Sequence, residues 1–149
     1  MNSKRKKIQK VLEIREQALE KSAGVLAKSR EKLEQAKVVA EKESERLLVA
    51  SEHREQLAMR VTDVGSWLEA EQWLAYRRGI LGRATGQVYS AEAAVQESLQ
   101  RVVVARMDKK KIELLDERLA EEQLRRELRV EQKLSDEFGQ RRRNDADEE

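Results

Sequence analysis

Cysteine and proline are both absent from this 149-residue chain, and aromatic side chains make up only 3% of it. Without cysteine there can be no disulfide, no thiolate metal site and no thiol nucleophile, and the redox compartment leaves no mark. The single histidine, His53, cannot build a histidine cluster and is expected on the flank of a helical seam. Long apolar runs are missing too. The longest, such as Val102 to Ala105, reach about four residues, far short of the roughly 20 that a membrane span needs. Lys4 to Lys7 resembles the charged start of a signal peptide, but no apolar stretch follows, so export by that route is not expected. Nor is there an excess of one charge, since 31 basic residues stand against 29 acidic ones and the signs are interspersed along the chain. Such mixing is typical of the solvated flanks of coiled coils.

What is present favours helix. Charged residues make up 40% of the chain, and Ala, Glu, Lys, Leu, Arg and Gln dominate, all of which lose little side-chain freedom in a helix. With so few aromatics a globular core is excluded, and an elongated all-α protein follows.

Catalytic patterns find no footing. Gly79, Gly82 and Gly86 do not follow a strand, so they do not form a nucleotide fingerprint. The many carboxylates sit four residues from Lys or Arg, as on solvated helices, and no nucleophile–base pair stands out. No enzyme activity, cofactor or metal is expected. Leucines seven apart behind basic residues suggest a DNA-reading zipper, but that needs a basic helix of about two dozen residues, and only Lys4 to Lys7 precede Ile8. Lys109 to Lys111 and Arg141 to Arg143 have no interleaved aromatics for single strands. Nucleic acid is not an expected partner.

Periodicity gives the organisation. Leu12, Leu19, Leu26, Leu33, Ala40 and Leu47 form one heptad row, which continues through Arg54 to Val61 and Leu68. A second row between them, running from Ile8 through Arg15, Ser22, Ser29, Ala36, Glu43, Ala50 and Leu57, is polar for much of its length. Val11, Ala18, Val25 and Val39 are expected to widen the stripe. Gly65 can end a helix in the left-handed conformation, and Ser66 with Glu69 matches a capping box, so a turn is placed at about 62–66. The result is an antiparallel two-helix coiled-coil hairpin, with arm one at about 4–64 and arm two at about 66–138. A returning stripe runs through Trp73, Tyr76, Ile80, Ala84, Val88, Ala91, Val95, Leu99 and Val102, and loses phase near Lys109 to Lys111. Ile112, Leu115, Leu119, Leu124, Leu128, Leu134 and Phe138 resume it. The three glycines at 79, 82 and 86 mark the stretch 62–86 as a place for bends, and residues 139–149 form a charged tail expected to be disordered. A seam interrupted by Arg15, Ser22, Ser29, Glu43 and Arg54 should be marginal alone. Trp67, Trp73 and Tyr76 cluster near the turn, where they either plug the end of a thin core or form an exposed binding tip.

Three stretches resemble the FliJ-type stalk proteins of the flagellar type III export machine: "IQKVLEIRE" near the start, "WLEAEQWLAYRRGILGRATGQVYSAEAAV" in the middle, and "DERLAEEQLRRELRVEQKLSDE" near the end. The last carries the family's Glu-Gln-Lys and Asp-Glu pairs at Glu131, Gln132, Lys133 and at Asp136, Glu137. Lys6, where flagellar members often have an aromatic residue, and Leu124, where many have tyrosine, leave room for the related stalk of virulence injectisomes. The resemblance implies a hairpin similar to the central shaft subunit of rotary ATP synthases. Such a stalk enters the ring of a hexameric export ATPase, promotes its assembly, links it to the membrane export gate and escorts export chaperones. The polar contacts to the ATPase would be Gln9, Arg15, Arg125, Arg126, Glu131, Gln132, Lys133 and Asp136. Trp67, Trp73 and Tyr76, by their placement, would face the export gate or another component. The expected location is cytoplasmic, peripheral to the inner-membrane export apparatus and without direct membrane insertion, and the free chain is expected to be a monomeric hairpin. A structural coiled coil that self-associates into parallel dimers, with no export role, is the alternative.

Overall fold

A computed structural model of the chain describes residues 3–60 and 63–148. Two helices account for nearly all of them: α1, Ser3–Met59, and α2, Val64–Glu148. They pack against each other as an all-α helical hairpin, and the described residues contain no strand. No helix among them is long and apolar enough to cross a membrane. Two compact units are distinguished, Glu20–Val104 and Met1–Leu19 with Ala105–Glu149.

The break between the helices differs from the one read in the sequence. Val61 and Thr62 lie outside the described residues, and Gly65 is already helical, within the first turn of α2. No described glycine has a positive φ. The cap is Asp63: its Oδ1 accepts the backbone N–H of Ser66 at 2.7 Å, and its carbonyl accepts the N–H of Trp67 at 3.4 Å. Asp63 thus takes the role assigned to Ser66, because a carboxylate one place outside the helix can satisfy an otherwise orphaned N–H. Hydrogen bonds from the Ser66 backbone and side chain hold the Asp63 carboxyl below the ordinary aspartate range.

The two heptad rows of α1 are the packed face. Leu12, Leu19, Leu26, Leu33, Ala40 and Leu47 are covered or partly covered, as are Ser22, Ser29, Ala36, Glu43 and Ala50 between them. Val11, Val25 and Val39 are exposed, so the valine flank does not widen the seam. On α2 the covered positions include Ala70, Leu74, Arg77, Leu81, Ala84, Val88, Ala91, Val95, Ser98, Val102 and Ala105, with Glu71 and Ile80 partly covered beside them. They continue as Lys109, Ile112, Asp116, Leu119 and Gln123. This alternation of three and four residues never loses phase. Trp73, Tyr76 and Leu99, read as part of the stripe, lie one residue off it and are exposed, and so are Leu115, Leu124, Leu128, Leu134 and Phe138. Nor does α2 break at Gly79, Gly82 or Gly86, which sit inside one continuous helix. α2 is helical as far as Glu148, including residues 139–148, and Glu149 lies outside the described residues.

Polar interruptions of the α1 rows prove to be matched. Within 20–104, Ser29 Oγ lies 3.1 Å from Ser98 Oγ. The buried Glu43 accepts from Arg46 at 2.8 Å and from Arg77 at 3.2 Å, and Arg54 pairs with Glu71 at 2.9 Å. In the terminal unit Asp116 accepts from Arg5 Nε at 3.2 Å and from Gln9 Nε2 at 3.1 Å. Arg15 pairs with Asp108 and Glu16 with Lys109, each at 3.7 Å. Within each unit the partner numbers fall on α2 as they rise on α1, which is antiparallel pairing. A polar side chain in a seam destabilises every register that strands it, so these pairs favour one alignment over its heptad-shifted neighbours.

Candidate functional site

Two surfaces carry the residues singled out by the sequence. The first lies in the unit 20–104. Trp67, Trp73 and Tyr76 are 41%, 48% and 55% exposed, so none of them plugs the core. The end of the core is filled instead by Leu74, only 1% exposed, and by Ala70. Trp73 and Tyr76, three residues apart, share a helix face with ring centroids 5.5 Å apart. Trp67, six residues before Trp73, points elsewhere around the helix.

The Arg77 guanidinium lies 4.7 Å from the Trp73 ring centroid while its Nη1 donates to Glu43. Glu43 therefore fixes an arginine that in turn covers one face of the tryptophan. Beside them an open groove of about 560 Å³ runs between α1 and α2, lined by Lys42, Arg46, Val49, His53, Trp73 and Arg77 among others. The groove offers an indole, an exposed valine and a rim with more cations than anions. Such a surface suits an extended or helical segment with an apolar anchor and acidic neighbours.

The second surface lies in the terminal unit. Every described residue from Leu124 to Glu148 is exposed, and no described residue of α1 covers them. Arg126, Gln132, Lys133 and Asp136 line one face of this stretch together with Arg129 and Val130. Arg125 and Glu131 are also exposed but project from other sides of the helix. Gln9 and Arg15 are not part of this group. Gln9 spends its amide on Asp116 and Arg15 pairs with Asp108, so both act within the hairpin seam. Arg129 and Val130 were missed in the sequence, and so was the groove beside Trp73. Their heptad spacing from the covered positions was visible, but the alignment of α1 that reveals it was not.

Among the described residues, no group of three or more His, Cys, Asp or Glu side chains is placed to hold a metal.

No curated protein and no solved structure matches the chain significantly. The family profile of the flagellar FliJ protein matches residues 4–148, nearly the whole length. Together with the helical hairpin, this match means that the chain belongs to the flagellar FliJ protein family, whose role lies in flagellar protein export.

Proposed function

We propose that this protein is the stalk of the flagellar export apparatus, with its terminal unit entering the ring of a hexameric export ATPase, promoting ring assembly and coupling the ring to the membrane export gate. The observation that carries this reading is the free segment of α2, where Arg126, Arg129, Gln132, Lys133 and Asp136 share one solvated face with no partner helix over them. A ring of subunits can meet such a face with charge-assisted hydrogen bonds from several directions. Arg125 and Glu131 extend the contact around the helix. Gln9 and Arg15 contribute from behind it, by clasping α1 to α2 just before the free segment begins.

The groove at Trp73 and Tyr76 supports a second contact, with the export gate, through the indole and the cations around it. Trp67 adds an exposed ring near the turn. Export chaperones would be escorted on the exposed helix faces that remain. The protein acts without catalysis of its own, as a cytoplasmic subunit held at the inner-membrane apparatus through its partners.

ATPase stimulation tests the ring contact. The intact chain should raise the rate of a purified cognate export ATPase and favour its hexamer, and the variant Arg126→Glu/Lys133→Glu should lose most of that effect while melting at the same temperature. Trp73→Ala should leave stimulation intact and weaken capture of the gate protein. Full stimulation by the double charge-reversal variant would remove this face of α2 from the ring contact.

A further inference from the structure

We propose that the groove beside Trp73 takes a segment of a partner protein through a side-chain carboxylate that bridges Arg46 and Arg77, with an apolar side chain one helical turn away packed on Val49 and the indole. The anchor of this site is Glu43, which is only 8% exposed. One of its carboxylate oxygens accepts from Arg46 Nη1 at 2.8 Å and the other accepts from Arg77 Nη1 at 3.2 Å. A single buried carboxylate thus gathers two guanidiniums, and both of them line the groove. Each guanidinium has five N–H donors and spends only Nη1 on Glu43, so the donors that remain can grip a second carboxylate from the groove side. Arg77 is held by both Glu43 and the Trp73 ring, and a donor already fixed loses little freedom when a ligand arrives.

Charge selects the occupant. Lys42, Arg46 and Arg77 stand against two carboxylates, Glu43 and Glu45, so the groove keeps one positive charge without a counter-charge. A second hollow that Trp73 also lines is completed by Glu69, Gln72 and Tyr76, with no cation among them. An acidic residue arriving at Trp73 is therefore drawn to Arg46 and Arg77 and turned away from Glu69. A wholly apolar segment would instead cover the remaining arginine donors and leave them unpaired, which costs free energy. The identity of the partner as the export gate rests on the function proposed above, whereas the chemistry of the contact is set by the groove itself.

The probe is a helical peptide carrying Glu and Leu one turn apart, titrated into the full chain while the indole N–H signals of its two tryptophans are followed by magnetic resonance. The Trp73 signal should move, and that of Trp67, which does not line the groove, should not. A peptide with Gln in place of Glu should bind about threefold to tenfold more weakly, and so should the Glu peptide to Arg46→Gln. That variant keeps Glu43 paired with Arg77, so the hairpin should fold as before. Arg83→Gln, outside the groove, should bind as the unaltered chain does. Salt should weaken the Glu peptide more than the Gln peptide. Equal affinity for the two peptides, or undiminished affinity in Arg46→Gln, would overturn the carboxylate bridge. A Trp73 signal unmoved at about millimolar peptide would overturn the site itself. The cytoplasmic part of the export gate, added as competitor, separates the two readings: displacement of the peptide supports both, whereas failure to displace it removes the gate from this groove and leaves the carboxylate site standing on the peptide result.

Discussion

In the unit formed by residues 20–104 the helices are joined by side chains withdrawn from water, Leu26, Ala50, Leu74, Ala84 and Val102 among them. In the unit formed by 1–19 with 105–149 no described residue is buried, and Arg5 with Asp116, Arg15 with Asp108 and Glu16 with Lys109 hold the helices instead. The heptad geometry is the same in both, but its occupants are not. Apolar burial is insensitive to salt, whereas ion pairs that keep part of their surface in water, as Arg15 with Asp108 does, contribute little and are screened. The first unit should therefore hold the hairpin together while the second opens and closes at small cost.

Core truncation should break the comparison most severely. Leu74→Ala should cost about 2–5 kcal/mol, read as a lowered midpoint in chemical denaturation. The half-covered Leu12 or Leu119 changed to Ala should cost only about 1–2 kcal/mol, having less area to lose. Next comes the buried carboxylate. Arg77→Met leaves Glu43 with Arg46 alone and should cost about 1–3 kcal/mol, with Trp73 fluorescence changing as its cation departs. Glu43→Leu/Arg77→Met together should recover most of that loss, because the pair's desolvation cost is removed with it.

A smaller effect of opposite sign is expected at the glycines. A Cβ added at Gly79, Gly82 or Gly86 meets nothing within 4 Å, and each glycine has ordinary helical geometry. Each Gly→Ala change should thus stabilise by about 0.5–1 kcal/mol. Salt sharpens the contrast between the units. Raising ionic strength should speed amide exchange in 5–19 and 105–119 and leave 70–102 unchanged. Least of all is the cap. Because the folded Asp63 carboxyl titrates below its ordinary value, its contribution is present above about pH 4 and is lost as pH falls through the lowered value. Asp63→Asn should keep the cap and abolish that acid dependence.

The α1 rows could be read from leucine spacing alone because five of the six positions from Leu12 to Leu47 are leucine and the sixth is alanine. The α2 stripe could not. Ranking side chains by hydrophobicity puts Trp73, Tyr76 and Leu99 in the seam, yet their neighbours Leu74, Arg77 and Ser98 occupy it. Arg77 belongs there because Glu43 faces it, and Ser98 because Ser29 does. Such complementarity depends on residues 34 and 69 positions away along the chain. The same blindness made the polar positions of α1 look like weaknesses. At the turn, a glycine drew attention from Asp63, whose capping role shows only in where its carboxylate points. Of the candidate contacts, the exposed residues of the free segment were visible through family resemblance, whereas the engagement of Gln9 and Arg15 within the hairpin depends on Asp116 and Asp108 far along the chain.

The central claim is that matched polar side chains align α1 and α2 in one antiparallel register, and paired cysteines test it most directly. In the variant Ser29→Cys/Ser98→Cys, mild oxidation should give a disulfide within one chain, seen as faster migration in a denaturing gel at every protein concentration. The variant Ser22→Cys/Ser98→Cys, displaced by one heptad, should stay reduced. Linkage mainly between chains, or equal linkage in both variants, would contradict the account.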